Sequence, residues 1–364
     1  MCTQFFNIIC INNIYKAFKS LEDMKKRLTK KDICLCIATY NRNEDIRKTL
    51  ESLQKNKNIP GEVVIIDQSG DDKTQIVCKE YKRKKFPIKY IHIDTPSADI
   101  SMNLGLKYAR EKYSLIATAG DDVDFLEEYF EEILKIFNES SKVMAVGGID
   151  IAKDTPVFGT KEGKLETLFL KIFFLPYKKK NSFRITGPYG NTFTNDVDRV
   201  LKNVQWIPGF NCVWRNEVYR DYLWPEIIGY NVLDDIESSY HVYKKYGKGS
   251  LIIIPTAKVF HRYSHIARYG EKKRIFVNHE DHFTYYYTHF YNFSGTLKFI
   301  WSLFGIILGN SIRAVFGRKK YWLNYKYNIE AIKYCYDNRH LIKQNKKRLF
   351  LNKDLSMKKE LKIK

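Results

Sequence analysis

The sequence predicts an α/β fold, in which helices flank a mostly parallel sheet. Short apolar runs of strand length alternate with segments of helical periodicity between Ile33 and Ala119. This alternation is typical of parallel strands joined by right-handed crossovers. Hydrophobic residues make up 44% of the 364-residue chain, so it can bury a large core without disulfide bonds.

The predicted elements follow one another at ordinary lengths. An apolar run at 33–38 gives the first strand, and the first helix begins near Asn43, where Glu44 and Asp45 favour the positive end of the helix dipole. The next elements are a strand at 63–66, a helix at 73–83, a strand at 90–93, a helix at 100–111, a strand at 115–119, a helix from about Phe125, a strand at 143–151, a helix at 235–246 and a strand at 251–254.

Positive charge is concentrated at the C-terminal end. Lys and Arg number 62 against 41 Asp and Glu, a net charge of +21. The last 99 residues hold 21 basic and 7 acidic residues, a net +14, while the first 265 carry only +7. So large a surplus implies an anionic partner. Its position argues against a nucleic-acid groove in the body of the protein, so we expect no specific nucleic-acid partner.

Three regions are expected along the chain. Residues 1–32 are an apolar and then basic segment, which is either a short interfacial helix or a helix packed on the body. Residues 33–265 are the α/β domain, and 266–364 are a helical, basic region. In that region 299–312 is a run of 14 residues without a charge, shorter than the roughly 20 that span a bilayer. We expect a membrane-interfacial helix with basic flanks; a buried helix of a C-terminal subdomain is the alternative.

Cysteine usage and the N-terminus indicate the compartment. The seven cysteines are an odd number without a C-x-x-C pair, which argues against a secreted disulfide scaffold. The N-terminus lacks the basic n-region and cleavage site of a signal peptide. We therefore expect a cytoplasmic protein, peripheral on the inner face of the cell membrane.

Polar clusters follow three of the predicted strands: Thr39-Tyr40-Asn41-Arg42, Asp67-Gln68-Ser69 and Gly120-Asp121-Asp122-Val123-Asp124. In open α/β sheets, ligands bind at the carboxyl ends of strands. Adjacent carboxylates there raise each other's pKa unless a cation neutralises them, and their oxygens suit Mg²⁺ or Mn²⁺ bridging to phosphate. Asp121 and Asp122 are the predicted metal ligands; an acidic turn before a helix is the alternative.

Several motifs occur in a fixed order along the chain. They read CIATYNR, VVIIDQSGDD, SMNLGLKYA, SLIATAGDDVDF, WIPGFNCVWRNEVY, GYNVLDDIESSYHVYKKYG and AKVFH. Together they resemble the inverting glycosyltransferases of family 2, over roughly residues 33–265. The resemblance implies the GT-A fold, a nucleotide-diphospho-sugar donor (UDP, dTDP or GDP) and Mn²⁺ or Mg²⁺ as cofactor.

The resemblance also implies roles on the donor side. Tyr40 would flank the base, Asp67 would hydrogen-bond the base or ribose, and Asp122 would ligate the cation that holds the diphosphate. Gln68 stands where many relatives have a second acidic residue, which leaves the base open because an amide both donates and accepts. The expected nucleotide-sugar-binding residues are Ala38, Thr39, Tyr40, Arg42, Asp67, Gln68, Asn103, Asp121 and Gly209, and the expected metal ligands are Asp122, Asp121 and His261.

A second carboxylate pair, Asp234-Asp235, matches the family's catalytic base. Inverting transfer needs a base that removes the proton of the acceptor hydroxyl as it attacks the anomeric carbon. Asp235 is the expected base and Asp234 the alternative, although the pair can also simply begin a helix. Trp206 and Asn211 are expected to line the boundary between donor and acceptor.

The predicted function is transfer of a sugar to a hydroxyl of a lipid-linked or surface-polysaccharide acceptor. The acceptor class rests on the interfacial region and the basic tail, which also indicate an anionic membrane surface as a partner. The alternatives are an inactive member of the family or a polyanion-binding protein that acts through its tail. A nucleotidyltransferase is disfavoured, because ATYNRNED is not a Gly-rich phosphate loop.

Overall fold

The computed structural model describes residues 27–94, 97–152, 164–175, 182–184, 187–189, 200–224, 234–266, 270–316 and 319–344. Its strands are β1 (Ile33–Thr39), β2 (Glu62–Asp67), β3 (Ile88–His92), β4 (Leu115–Ala119), β5 (Val123–Phe125), β6 (Ala145–Asp150), β7 (Ser182–Arg184), β8 (Gly187–Tyr189), β9 (Asn211–Arg215) and β10 (Leu251–His261). Its helices are α1 (Asn43–Gln54), α2 (Lys73–Arg83), α3 (Ala98–Arg110), α4 (Tyr129–Glu139), α5 (Lys164–Ile172), α6 (Glu217–Asp221), α7 (Asp234–Tyr246), α8 (Glu271–His289), α9 (Phe293–Phe316), α10 (Lys319–Asp337) and α11 (Arg339–Lys343).

Eight strands form one mixed sheet in the order β3-β2-β1-β4-β9-β6-β10-β5. Strands β3, β2, β1 and β4 are all parallel, and β10 is parallel to β6. Strand β9 runs antiparallel to both of its neighbours, β4 and β6, and β5 runs antiparallel to β10. The predicted α/β class with a mostly parallel sheet is confirmed.

The core lies on both faces of the sheet, because successive side chains of a strand point to opposite sides. On one face, Ile33, Leu35 and Ile37 of β1 pack against apolar residues of α1 and α4. On the other face, Cys34 and Cys36 pack against residues of α3. All five side chains are fully buried, which explains why β1 is apolar from Ile33 to Ala38. Both cysteines are free thiols that serve as small apolar core residues.

Two elements differ from the sequence prediction. Phe125 is the last residue of β5 rather than the start of a helix, because β5 pairs with the end of β10. Strand β10 is longer than the predicted strand at 251–254. It continues through Pro255 to His261, with a register shift in its pairing to β6. The extension carries His261 to the edge of the sheet where β4 ends.

The described part of the C-terminal region is helical, as predicted. Helix α9 has 24 residues and is long and apolar enough to cross a membrane by length and composition. Only 17% of its most apolar window is buried inside the protein, so α9 is not a core helix. Residues 1–26 and 345–364, which hold most of the predicted N-terminal segment and of the basic tail, lie outside the described residues.

Candidate active site

The polar clusters of the first, second and fourth strands meet at one edge of the sheet. Thr39 ends β1, Asp67 ends β2, and Asp121 follows the end of β4. Because these strands are parallel neighbours, their carboxyl ends lie side by side. This edge is the candidate active site.

Asp121 is buried and held by two neighbours. Thr39 Oγ1 donates to its Oδ2 at 2.8 Å, and Arg42 Nη1 lies 2.8 Å from its Oδ1. Burial raises the pKa of Asp121, Arg42 lowers it, and the nearby Asp122 raises it again, leaving the pKa at about 6. Arg42 also donates from Nε and Nη2 to the carbonyl oxygen of Ile266, at 2.9 and 2.6 Å. It thereby joins the turn after β1 to the segment after β10.

Asp122 is paired with His261. Nε2 of His261 lies 2.9 Å from Oδ1 of Asp122, and the backbone N–H of Ser264 donates to Oδ2 at 2.8 Å. Burial raises the pKa of Asp122, but the hydrogen bond and charge of His261 and the Ser264 N–H outweigh it, so the pKa lies well below its usual range. Asp122 is therefore a carboxylate at neutral pH, with its oxygens beside an imidazole nitrogen.

The ring of His261 stacks on two aromatic side chains. Its centroid is 4.6 Å from that of Phe210 and 4.0 Å from that of Tyr263. Tyr263 has φ of 52°, a left-handed conformation uncommon for a side chain of this size. Its hydroxyl donates to Oδ2 of Asp150 at 2.6 Å, and Oδ1 of Asp150 accepts from the backbone N–H of His261 at 3.1 Å.

The candidate base is held next to the chain that enters β9. The backbone N–H of Gly209 donates to Oδ2 of Asp235 at 3.0 Å. A Cβ at Gly209 would stand 2.9 Å from Cβ of Asp235, so only glycine fits this approach without a shift. Asp235 lies in the first turn of α7, where the helix dipole favours a carboxylate. Asp234 is the first residue of that helix.

Phe210 connects the two halves of the site. Its carbonyl oxygen accepts from the backbone N–H of Gly120 at 3.3 Å, just before Asp121. Its ring packs on His261, and its neighbour Gly209 contacts Asp235. The Asp122–His261 pair and Asp235 therefore belong to one continuous set of contacts.

Two other residues that were predicted to bind the donor form hydrogen bonds within the protein. Asp67 is fully buried, and its carboxylate accepts from Ser69 and from the hydroxyl of Tyr90. Oε1 of Gln68 accepts from the backbone N–H of Ser97 at 2.6 Å. Both side chains hold the turn that follows β2.

The remaining predicted residues divide into exposed and buried groups. Tyr40 is 40% exposed beside the site, as a base-flanking residue must be, and Ala38 is partly buried. Asn103, Trp206 and Asn211 are almost fully buried. Asn103 exchanges two hydrogen bonds with the backbone of Trp224, Trp206 packs with Ile236 and Tyr285, and Asn211 lies beside Tyr129, whose hydroxyl donates to its carbonyl oxygen.

The donor set fits a divalent cation that shares its coordination with a substrate. Among the described residues, no group of three or more His, Cys, Asp or Glu side chains is placed to hold a metal ion. The Asp122 and His261 donor atoms, 2.9 Å apart, have the spacing of two neighbouring ligands of an octahedral ion, which is about 3.0 Å for bonds of about 2.1 Å. An ion bound there would take its other ligands from phosphate and water.

Comparison with known proteins identifies the domain. Residues 34–196 match the family described as Glycosyl transferase family 2. The chain carries a glycosyltransferase family 2 domain. The family that the motifs resemble is thus confirmed.

Two curated relatives of this family 2 domain are bacterial. The minor teichoic acid biosynthesis protein GgaB of Bacillus subtilis (strain 168) is 27% identical over 184 residues, covering 48% of this chain and 19% of GgaB. Glycosyltransferase GlyA of Streptococcus pneumoniae serotype 4 is 27% identical over 117 residues, covering 32% of this chain and 16% of GlyA. The chain spans less than a fifth of the length of either relative.

A solved structure shares the fold. The crystal structure of GalNAc-T7 with UDP, GalNAc and Mn²⁺ aligns with a TM-score of 0.51 at 13% identity, covering 87% of this chain and 58% of that one. The expected GT-A fold of the family 2 domain is confirmed.

Sequence reasoning missed Asp150 and Tyr263, which orient His261 through the contacts described above. One signal was available for Asp150, because it is a carboxylate at the carboxyl end of an entirely buried strand, like Asp67. Tyr263 carried no comparable signal, because its role depends on a hydrogen bond between residues 113 positions apart.

Proposed function

We propose that this family 2 domain transfers a sugar from a nucleotide-diphosphate donor to a hydroxyl of a lipid-linked or surface-polysaccharide acceptor, with inversion at the anomeric carbon. One observation carries the proposal. A set of contacts runs from Asp122 and His261 through Phe210 and Gly209 to Asp235 at one edge of the sheet, which supports roles for Asp122 and His261 as cation ligands and for Asp235 as the base. Inverting transfer needs these two groups together.

Asp122 and His261 would hold the cation, and Mn²⁺ suits this set better than Mg²⁺ because one donor is an imidazole nitrogen. Bound there, the cation neutralises charge that develops on the departing nucleoside diphosphate. Asp121 has a supporting role, because Thr39 and Arg42 already engage its two oxygens. It keeps Arg42 beside the site, where the guanidinium adds positive charge for the diphosphate.

Asp235 would act as the base. It accepts the proton of the acceptor hydroxyl while the hydroxyl oxygen bonds to the anomeric carbon and the bond from that carbon to the diphosphate oxygen breaks. The Gly209 N–H holds one carboxylate oxygen at 3.0 Å, which fixes the direction of the other. The base then works in a set orientation, and orientation contributes strongly to the rate.

The donor would bind with its base beside Tyr40 and its diphosphate at Asp122. We propose UDP, dTDP or GDP as its nucleotide. The acceptor class is supported by the relation to a minor teichoic acid biosynthesis protein and by the net charge of +14 over the last 99 residues. A polar substrate attached to a membrane lipid would bring the enzyme to the cytoplasmic face of the membrane.

Calorimetric titration with UDP, GDP and dTDP, each with and without Mn²⁺, tests this function. We expect one nucleotide to bind in a metal-dependent way, and Asp122→Asn to abolish the metal dependence. Asp221→Asn is the matched control, because Asp221 is an exposed carboxylate paired with Lys245. Binding that ignores both metal and Asp122, or no binding at all, would overturn the proposal and favour a polyanion-binding protein.

A further inference from the structure

An apolar stripe runs along the exposed side of α9. Its residues recur at intervals of three, four or eleven, so they share one face of the helix. They are Phe293, Leu297, Ile300, Phe304 and Val315, which are 82%, 55%, 57%, 49% and 73% exposed. Contiguous exposed surface of this kind marks an interaction site.

Helix α5 lies beside α9 and has exposed apolar side chains of its own. The ring of Phe173, just after α5, stacks on Trp301 with centroids 5.0 Å apart. A Cβ on Gly305 would collide with Phe173, so this glycine lets the two helices approach closely. The outer side of α5 exposes Leu165, Leu168 and Ile172. These three residues and the five of the α9 stripe are called the docking face below.

The opposite side of α9 packs against the rest of the protein. Phe299 is buried and stacks on Tyr286 of α8 with ring centroids 4.2 Å apart. Arg313 of α9 pairs with Glu166 of α5 at 3.1 Å. A helix that crossed a bilayer here would have to give up its packing on α8, because Phe299 and Tyr286 hold it against the protein. The arrangement instead fits a helix that lies in the plane of a surface, with one face buried.

The charge near the docking face indicates which kind of surface it binds. The chain from 266 to 364 carries a net +14, and Arg318, Lys319 and Lys320 directly follow α9 in the sequence. Basic residues beside an exposed apolar face are the pattern that binds anionic lipid headgroups while apolar side chains enter the acyl boundary. A second copy of the chain would bring the same excess of positive charge and would be repelled.

A cavity between α5 and α9 also favours a lipid as the binding partner. It has a volume of about 430 Å³, and its lining combines the apolar residues Phe169, Leu170, Leu175 and Ile306 with the polar residues Glu166, His282, Asn310 and Arg313. Water gains few hydrogen bonds along the apolar part of this lining, whereas a hydrocarbon chain packs against it favourably. The cavity would therefore accept a lipid chain from the surface on which the docking face rests.

We propose that the docking face binds the surface of an anionic phospholipid bilayer, with α5 and α9 lying together in its interface. The inference rests on the proposed membrane location and assigns it to eight side chains on two helices. It also gives α5 a role in membrane binding that its position in the insertion between β6 and β9 did not suggest.

Co-sedimentation of the full-length protein with vesicles tests the inference. Vesicles of phosphatidylcholine with phosphatidylglycerol are compared with vesicles of phosphatidylcholine alone, at low salt and at high salt, where contributions of the basic tail are screened. The variants are Ile300→Glu/Phe304→Glu on α9 and Leu168→Glu on α5. Ile76→Glu is the matched control, because Ile76 is 45% exposed on α2. Circular dichroism checks that each variant is folded.

We expect the wild type and Ile76→Glu to bind the anionic vesicles, and the docking-face variants to bind about tenfold or more weakly at high salt. Equal binding by all variants, or no binding by the wild type, would overturn the inference. So would resistance to alkaline carbonate extraction, which indicates a spanning helix. A dimer that the variants convert to monomer, without vesicle binding, would replace the bilayer by a second copy. Nucleotide titration of the same variants separates the two proposals, because donor affinity should stay at the wild-type value.

Discussion

Tyr263 holds His261 in place through Asp150. Its ring stacks on the imidazole at 4.0 Å between centroids, and its hydroxyl donates to a carboxylate that also accepts the backbone N–H of His261. The left-handed conformation of Tyr263 is the strain that this arrangement maintains, and such strain concentrates at functional sites.

Tyr263→Phe should weaken cation binding. The substitution keeps the stacking but removes the hydrogen bond to Asp150, so the His261 ring loses part of its orientation. Loss of an outer contact to a metal ligand lowers metal affinity by roughly 10–100-fold. Titration of Mn²⁺ in the presence of nucleotide measures this effect. Tyr108→Phe is the control, because it removes a similar phenol–carboxylate bond to Glu62 far from the site. Equal Mn²⁺ affinity in both variants would exclude the positioning role.

Gly209→Ala should lower the turnover number while leaving nucleotide affinity nearly unchanged. The added Cβ would stand 2.9 Å from Cβ of Asp235, so the carboxylate must move. A displacement of this order costs about 100-fold in rate. Steady-state kinetics and calorimetry measure the two quantities separately. Gly270→Ala, where a Cβ meets no atom within 4 Å, is the control and should behave like the wild type. A fall in nucleotide affinity without a fall in turnover would contradict the assignment of Asp235.

Arg42→Lys should release the segment after β10. The guanidinium joins Asp121 to the Ile266 carbonyl with three nitrogen atoms, and one ammonium cannot reproduce that fork. We expect faster amide hydrogen exchange at residues 262–266 and nucleotide affinity reduced by about tenfold. Arg47→Lys, which alters the partly exposed pair between Arg47 of α1 and Glu80 of α2, controls for the loss of a guanidinium. Unchanged exchange at 262–266 would show that Arg42 does not hold this segment.

Acid should destabilise the protein through His279. This side chain is buried, Asn328 accepts at 2.8 Å from its Nε2, and burial lowers its pKa. The unfolded chain therefore binds the proton first, and the free energy of unfolding falls as the pH drops below about 6.5, by at most about 1.4 kcal/mol per pH unit. Thermal unfolding from pH 7.5 to pH 5 measures it. His279→Gln should reduce this slope without abolishing it, because burial also lowers the pKa of the neighbouring His282, to about 3; an unchanged slope would assign the dependence to other groups.

Local patterns allowed the first half of the fold to be predicted. Strand β1 and helix α2 agree with prediction to within a residue, because their periodicity and turn residues are local signals. Strand β5 was not predicted, since its three residues are ordered by pairing with β10. The same limit explains why the path of β10 beyond Pro255 was missed.

The candidate site was predictable to the extent that its residues lie in motifs. Asp122, His261, Gly209 and Asp235 were expected, and the structure places them in one set of contacts. Asn103 was expected to bind nucleotide, but its amide holds the backbone of Trp224, a partner 121 residues away. A motif identifies candidate binding residues, but it does not show which of their side chains are already hydrogen-bonded within the protein.

The reversed direction of β9 determines which part of the chain lies between the two carboxylates. Because β9 runs against β4, the chain enters β9 at the edge where β4 ends, and Gly209 and Phe210 lie beside Asp235 and His261 immediately before the strand begins. The 60 residues between β6 and β9 therefore end at the candidate site. A change in the length of this connection would act first on Gly209 and Phe210, so on the proposed assignment it would alter the base and a metal ligand together.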